Sequence, residues 1–129
     1  MPDEQDAYSQ GLEIRRKMWG VEGADGRIEG ASGFNRPFEE FITQYCFGEV
    51  WTRPLLDHKT RSLLTIGLLA VLGRPTQLRG HVRGAIANGA TPDEIREVLM
   101  HVAIYGGVPA AADSFGHARE TLKEMGLDK

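Results

Sequence analysis

Between Arg74 and Arg83 the chain places an imidazole (His81), an amide (Gln77) and three guanidiniums (Arg74, Arg79, Arg83) in one short run. At 100° per residue, Leu78, Val82, Ala85 and Ile86 form an apolar arc, with Gln77 and His81 along one margin and Arg79 and Arg83 along the other. An imidazole at such a margin can be partly desolvated and still reach a ligand. A lone histidine specifies no chemistry by itself, however, and the plain alternative is a core-edge residue satisfied by one hydrogen bond. A second cluster, Glu49-Val50-Trp51-Thr52-Arg53, packs a carboxylate, an indole and a guanidinium between helices. Loops held by aromatic anchors often carry function, although Trp51 plugging the core beside a solvated Glu49 and Arg53 explains the same residues. A third pattern, Glu97, His101 and Tyr105 at steps of four, reads either as a proton relay or as an ordinary polar helix face.

These groups need helices to position them. Pro75 suits a first helical turn and Gly89 a left-handed stop; Thr91, Pro92 and Glu94 form a capping box that opens the next helix. Asp57 caps a helix reaching Leu72, so apolar on all sides that every face must be covered, which favours a second subunit. Asn35 is a plausible cap for a helix carrying Phe38, Phe41, Ile42, Tyr45 and Cys46. A helix from about Asp3 to Met18 precedes a glycine-spaced loop over Gly20–Gly33. Gly106-Gly107-Val108-Pro109 separates the last two helices. No run of period two occurs, so the expected class is all-α.

Length and composition restrict the function classes. A chain of 129 residues, 41% hydrophobic and 26% charged, fits one soluble domain over 1–129 with a core of its own. The net charge of −3, from 15 basic and 18 acidic residues, gives no field for nucleic acid. The single cysteine, Cys46, excludes an intramolecular disulfide and a CxxC motif in this chain, in keeping with a reducing cytoplasm. The acidic Met1-Pro2-Asp3-Glu4 start is unlike an export signal, and Leu63–Leu72 is about half the length of a membrane crossing, so no membrane partner is expected.

Several stretches taken together resemble the carboxymuconolactone decarboxylases: Phe34-Asn35-Arg36-Pro37-Phe38, Tyr45-Cys46-Phe47-Gly48-Glu49-Val50-Trp51-Thr52-Arg53-Pro54, Lys59-Thr60-Arg61-Ser62-Leu63-Leu64, His81-Val82-Arg83-Gly84-Ala85, Glu94-Ile95-Arg96-Glu97-Val98-Leu99 and Tyr105-Gly106-Gly107-Val108-Pro109-Ala110-Ala111. The resemblance implies an alkylhydroperoxidase-D-like bundle of about six helices, assembled as a trimer or hexamer. The peroxidase branch of that superfamily carries CxxCxxxH; here Arg74 and Gln77 stand at the two cysteine positions, Ser62 at a family glutamate, and only His81 is retained. Thiol peroxidase chemistry is therefore not expected.

The implied reaction is decarboxylation of 4-carboxymuconolactone to 3-oxoadipate enol-lactone in protocatechuate breakdown. The unsaturated lactone accepts the electron pair of the departing carboxylate, so neither metal nor cofactor is demanded. On this reading Arg74 is the first candidate to grip the acetate carboxylate, with Arg53, Arg36 and Arg83 behind it. Gln77 and Tyr45 are candidate donors to the lactone oxygen. His81, expected to titrate near neutrality, is the candidate acid for the ring carbon, and Glu49 either orients His81 or pairs with Arg53. The alternatives are a decarboxylase for another small carboxylated lactone and a non-catalytic helical protein that binds a small acid.

Overall fold

The computed structural model describes residues 4–128; the first three residues of the acidic start lie outside them. Among the described residues there are helices and no strands: α1 (Glu4–Glu29), α2 (Arg36–Phe41) running directly into a π-helix (Ile42–Val50), α3 (His58–Leu72), α4 (Pro75–Ala87), α5 (Pro92–Tyr105) and α6 (Val108–Glu124). None is long and apolar enough to cross a membrane. The chain forms two compact units, Met1–Leu56 and Asp57–Lys129.

In the first unit α1 packs on the π-helix. Two glycines permit this: a Cβ on Gly11 would fall 1.8 Å from the Thr43 carbonyl oxygen, and one on Gly48 2.0 Å from that of Ala7. The helix after Gly20 is a correction to the expected loop. Gly20 breaks the helical path at φ 79°, but the chain resumes a helix through Gly23 and Gly26. Burial of Ala24 and Ile28 and an Arg16–Asp25 ion pair of 2.8 Å outweigh the poor propensity of glycine there. Asn35 also departs from expectation: its Oδ1 accepts from the Ser32 amide at 2.8 Å and makes no cap bond to α2.

Ile14, Met18, Phe47 and Trp51 form this unit's apolar core, with the Trp19 ring edge-on to Phe47 at 5.7 Å. Trp51 is therefore a core plug. Beside it lies a buried ion pair, Arg15 to Glu39 at 3.0 Å, in which Arg15 also donates to the Thr43 hydroxyl at 3.0 Å. The Thr43 hydroxyl donates in turn to the Glu39 carbonyl at 2.8 Å. Thr43 thus takes a share of a carbonyl that helix amides would use, where the helix widens into π geometry.

In the second unit Ile66, Leu78, Val82, Ile95, Leu99 and Val102 make the core. Its boundaries follow local chemistry. Asp57 accepts from the Thr60 amide at 2.7 Å, and Gly89 adopts φ 97° after α4. The Thr91–Glu94 box is complete, with bonds of 3.0 and 3.1 Å. Thr91→Ala is expected to destabilise the chain by about 1 kcal/mol, measured by urea denaturation. On α3, Leu64, Leu68, Val71 and Leu72 are each more than half exposed, so this chain leaves one face of the apolar helix uncovered.

Candidate functional site

Gly73 ends α3 in a left-handed conformation (φ 68°) and Pro75 begins α4, which sets Arg74 at the head of α4. Helical geometry puts Gln77 and His81 within about 60° of Arg74 around the axis, with His81 about 10 Å further along. Arg74, Gln77 and His81 therefore share one stripe. Arg74 makes no ion pair among the described residues. Arg83 lies on the opposite side of α4 and pairs with Glu124 at 2.6 Å. Arg79 is held by His117 and Glu120.

The His81 imidazole is largely buried, and burial lowers its pKa to about 4. This corrects the expectation of a ring titrating near neutrality: an imidazolium loses its hydration at this site, so the resting group is neutral. The consequence for stability has a definite sign. The folded-state pKa lies below the unfolded value of 6.5, so the unfolded chain binds the extra proton. This group's contribution is therefore fully present above pH 6.5, is lost progressively as pH drops from 6.5 toward 4, and levels off below that range after a total loss of about 3 kcal/mol. Urea denaturation at stepped pH, compared with His81→Leu, measures it; an identical slope in both proteins would show that His81 is not the group responsible.

Ser62, at the position of the superfamily glutamate, is fully buried and accepts from the Asn88 side-chain amide at 3.0 Å. A neutral pair thus occupies that place.

The other sequence candidates lie in the first unit. Tyr45 and Glu49 sit on the π-helix, an element that often marks functional sites. The Tyr45 ring meets Phe41 at 5.1 Å. Glu49 is half-buried and has no ion pair among the described residues. Arg36 opens α2 and Arg53 follows the π-helix, both exposed. Glu97, His101 and Tyr105 are exposed on α5, with the His101 and Tyr105 rings 4.7 Å apart. They edge an open apolar groove of about 790 Å³ between α3 and α5, floored by Leu63, Leu64, Leu68 and Val98. In the isolated chain the ladder is an exposed helix surface.

Residues 36–120 match the model of the carboxymuconolactone decarboxylase family. The chain belongs to this family. It is 42% identical over 127 residues to a 4-carboxymuconolactone decarboxylase of Acinetobacter baylyi, covering 98% of this chain and 94% of the relative. It is 39% identical over 122 residues to a nitrosuccinic acid decarboxylase of Metarhizium robertsii, covering 95% and 85% respectively. An uncharacterised 15.0 kDa protein of Paracoccus denitrificans is 42% identical over 80 residues, 60% of each chain. Family membership fits the all-helical fold, and the structure adds residues the sequence did not single out. Arg15 and Glu39 organise the π-helix, and His117 sits across from Arg79.

Proposed function

We propose that this chain is a cofactor-free carboxy-lyase that converts 4-carboxymuconolactone to 3-oxoadipate enol-lactone and CO2. The observation that carries the reading is a neutral, largely buried imidazole on the same helical stripe as an arginine without an internal counter-ion, in a chain 42% identical to an enzyme named for that reaction. The substrate's carbon–carboxylate bond breaks, and its electron pair moves through the ring double bond onto the lactone carbonyl oxygen. The resulting dienolate takes a proton on the ring carbon, so one proton replaces CO2. Because the lactone itself stores the electrons, the reading calls for no imine or metal.

The neutral His81 suits two successive roles. Before cleavage, its N–H donates to the lactone oxygen, aided by Gln77, and this contact strengthens as charge develops. After cleavage, the negative dienolate beside the ring favours the imidazolium, so His81 draws a proton from solvent and delivers it to carbon. Arg74 holds a carboxylate. Arg83 is engaged by Glu124, and Tyr45, Glu49, Arg36 and Arg53 of the first unit are proposed as further substrate-binding residues. The whole of 1–129 acts as one functional domain in the cytoplasm. We assign the exposed α3 face to contact with further copies in a homo-oligomer, because a contiguous row of half-exposed leucines is unfavourable in water.

The fungal relative supports a second reading. Nitrosuccinic acid is also a small dicarboxylic acid with a built-in electron acceptor, its nitro group. Assaying CO2 release from freshly generated 4-carboxymuconolactone, other carboxylated lactones and nitrosuccinate separates the two. Release from the lactone supports the first reading, and release from nitrosuccinate alone supports the second. Saturable binding with no CO2 from any of them overturns both in favour of a binding protein. Light scattering on the same sample tests the assembly, which a monomer would refute.

A further inference from the structure

The end of α3, the start of α4 and one side of α6 enclose a hollow of about 290 Å³. Arg74, Asp113, Ser114 and His117 supply its polar groups, and Leu69 and Leu78 are among its apolar walls. Arg79 orients the His117 ring. The Nε and Nη2 groups of Arg79 lie 3.1 and 2.8 Å from its Nδ1. A guanidinium can only donate, so Nδ1 is the acceptor and the ring proton is on Nε2. Arg79 is itself fixed by Glu120 and is not among the residues around the hollow. The ring edge that Arg79 leaves open is therefore the donor edge. Arg74, with no ion pair among the described residues, adds a second and charged donor at the positive end of α4.

We propose that this hollow seats the carboxylate that the reaction does not remove, with Arg74 and His117 as its two donors and Arg79 as the positioning residue that keeps the His117 proton on Nε2. The inference rests on the decarboxylase reading for its substrate and extends it. 4-Carboxymuconolactone and nitrosuccinic acid have little in common beyond two carboxylates and an electron acceptor. One carboxylate leaves as CO2; the other needs a permanent seat. Asp113, exposed one turn before His117 on α6, also lines the hollow. Its carboxylate opposes any anion in the hollow, so the seat depends on both donors, Arg74 and His117, to outweigh it. The seated carboxylate carries the same charge before and during cleavage, and its contacts contribute to binding far more than to turnover.

The test uses the full chain and succinate, a dicarboxylate with no electron sink, followed through the ring nitrogen and carbon NMR signals of the four histidines. Succinate is expected to inhibit CO2 release competitively and to shift the His117 signals saturably. Arg74→Met and His117→Gln are expected to weaken succinate binding about tenfold or more and to raise KM correspondingly, with the loss in KM far exceeding that in kcat. Arg79→Met should change the balance of Nδ1 and Nε2 protonation in the His117 ring spectrum, a readout that mere loss of packing would not move. Arg74 is exposed, so its variant tests the hollow even where a His117 variant misfolds. Active enzyme whose KM and succinate affinity ignore Arg74→Met and His117→Gln overturns the inference and leaves the decarboxylase reading standing. Arg74-dependent binding at His117 in a chain that decarboxylates nothing keeps the carboxylate seat and removes the reaction.

Discussion

His81→Ala is expected to lower kcat at least ~100-fold, because it deletes both the proposed donor to the lactone oxygen and the group proposed to return a proton to carbon. His81→Gln separates the two roles. An amide can still donate to the oxygen but cannot relay a proton, so this variant should recover part of the loss without reaching wild type. The low pKa of the resting ring, about 4, makes the effect sharper: a neutral group carries no charge that binds the dianionic substrate in the ground state. The loss should therefore fall on kcat, with KM little altered. Initial rates of lactone disappearance over a range of substrate concentration measure both constants. Near-normal kcat in His81→Ala removes the imidazole from the mechanism. The same variant flattens the decline in stability between pH 6.5 and 4 if burial of this ring is its source.

The contrast between what the sequence disclosed and what it did not follows the range of the interactions. Asp57, Thr91 with Glu94, and Gly89 act within a few residues of themselves, and each performs the expected capping or turn role. His81 was legible for the same reason, since its place at the margin of the α4 arc follows from helical spacing. The chemical state of the ring was not, because desolvation depends on what surrounds it. The second half of α1 was misread because glycine propensity is a local argument, and the Arg16–Asp25 pair and buried Ile28 overrule it through packing. The π-helix depends on carbonyl Thr43 fitting against Gly11, 32 residues away in sequence, by the numbering of the chain. Likewise His117 looks like one more polar residue on α6 until Arg79, 38 residues earlier, is found donating to it.

Glu39→Ala is expected to destabilise the first unit by about 3–5 kcal/mol, because it leaves the Arg15 guanidinium buried without its counter-charge. Both charges are almost fully removed from water: the side chains of Arg15 and Glu39 are 7% and 10% exposed. Arg15 also lies over the Phe47 ring, at 5.8 Å from its centroid, so it has no room to turn toward solvent without disturbing the aromatic core. Both tryptophans of the chain, Trp19 and Trp51, belong to this core, and their fluorescence reports the first unit alone. Unfolding followed by tryptophan emission should move to lower denaturant in Glu39→Ala, ahead of the loss of helix from α3 to α6. The double variant Arg15→Met/Glu39→Leu should regain most of the stability, since it removes the orphaned charge and fills the space with apolar atoms. If Glu39→Ala unfolds at the wild-type midpoint, the guanidinium has found water, and the ion pair is not what fixes the π-helix against α1. If the double variant is as unstable as the single one, the pair contributes through its bonds to Thr43 and the Glu39 carbonyl more than through its charge. Because Tyr45 and Glu49 ride on that π-helix, the same series also tests whether these two candidate residues matter to turnover: activity should then follow the tryptophan signal and not the total helix content.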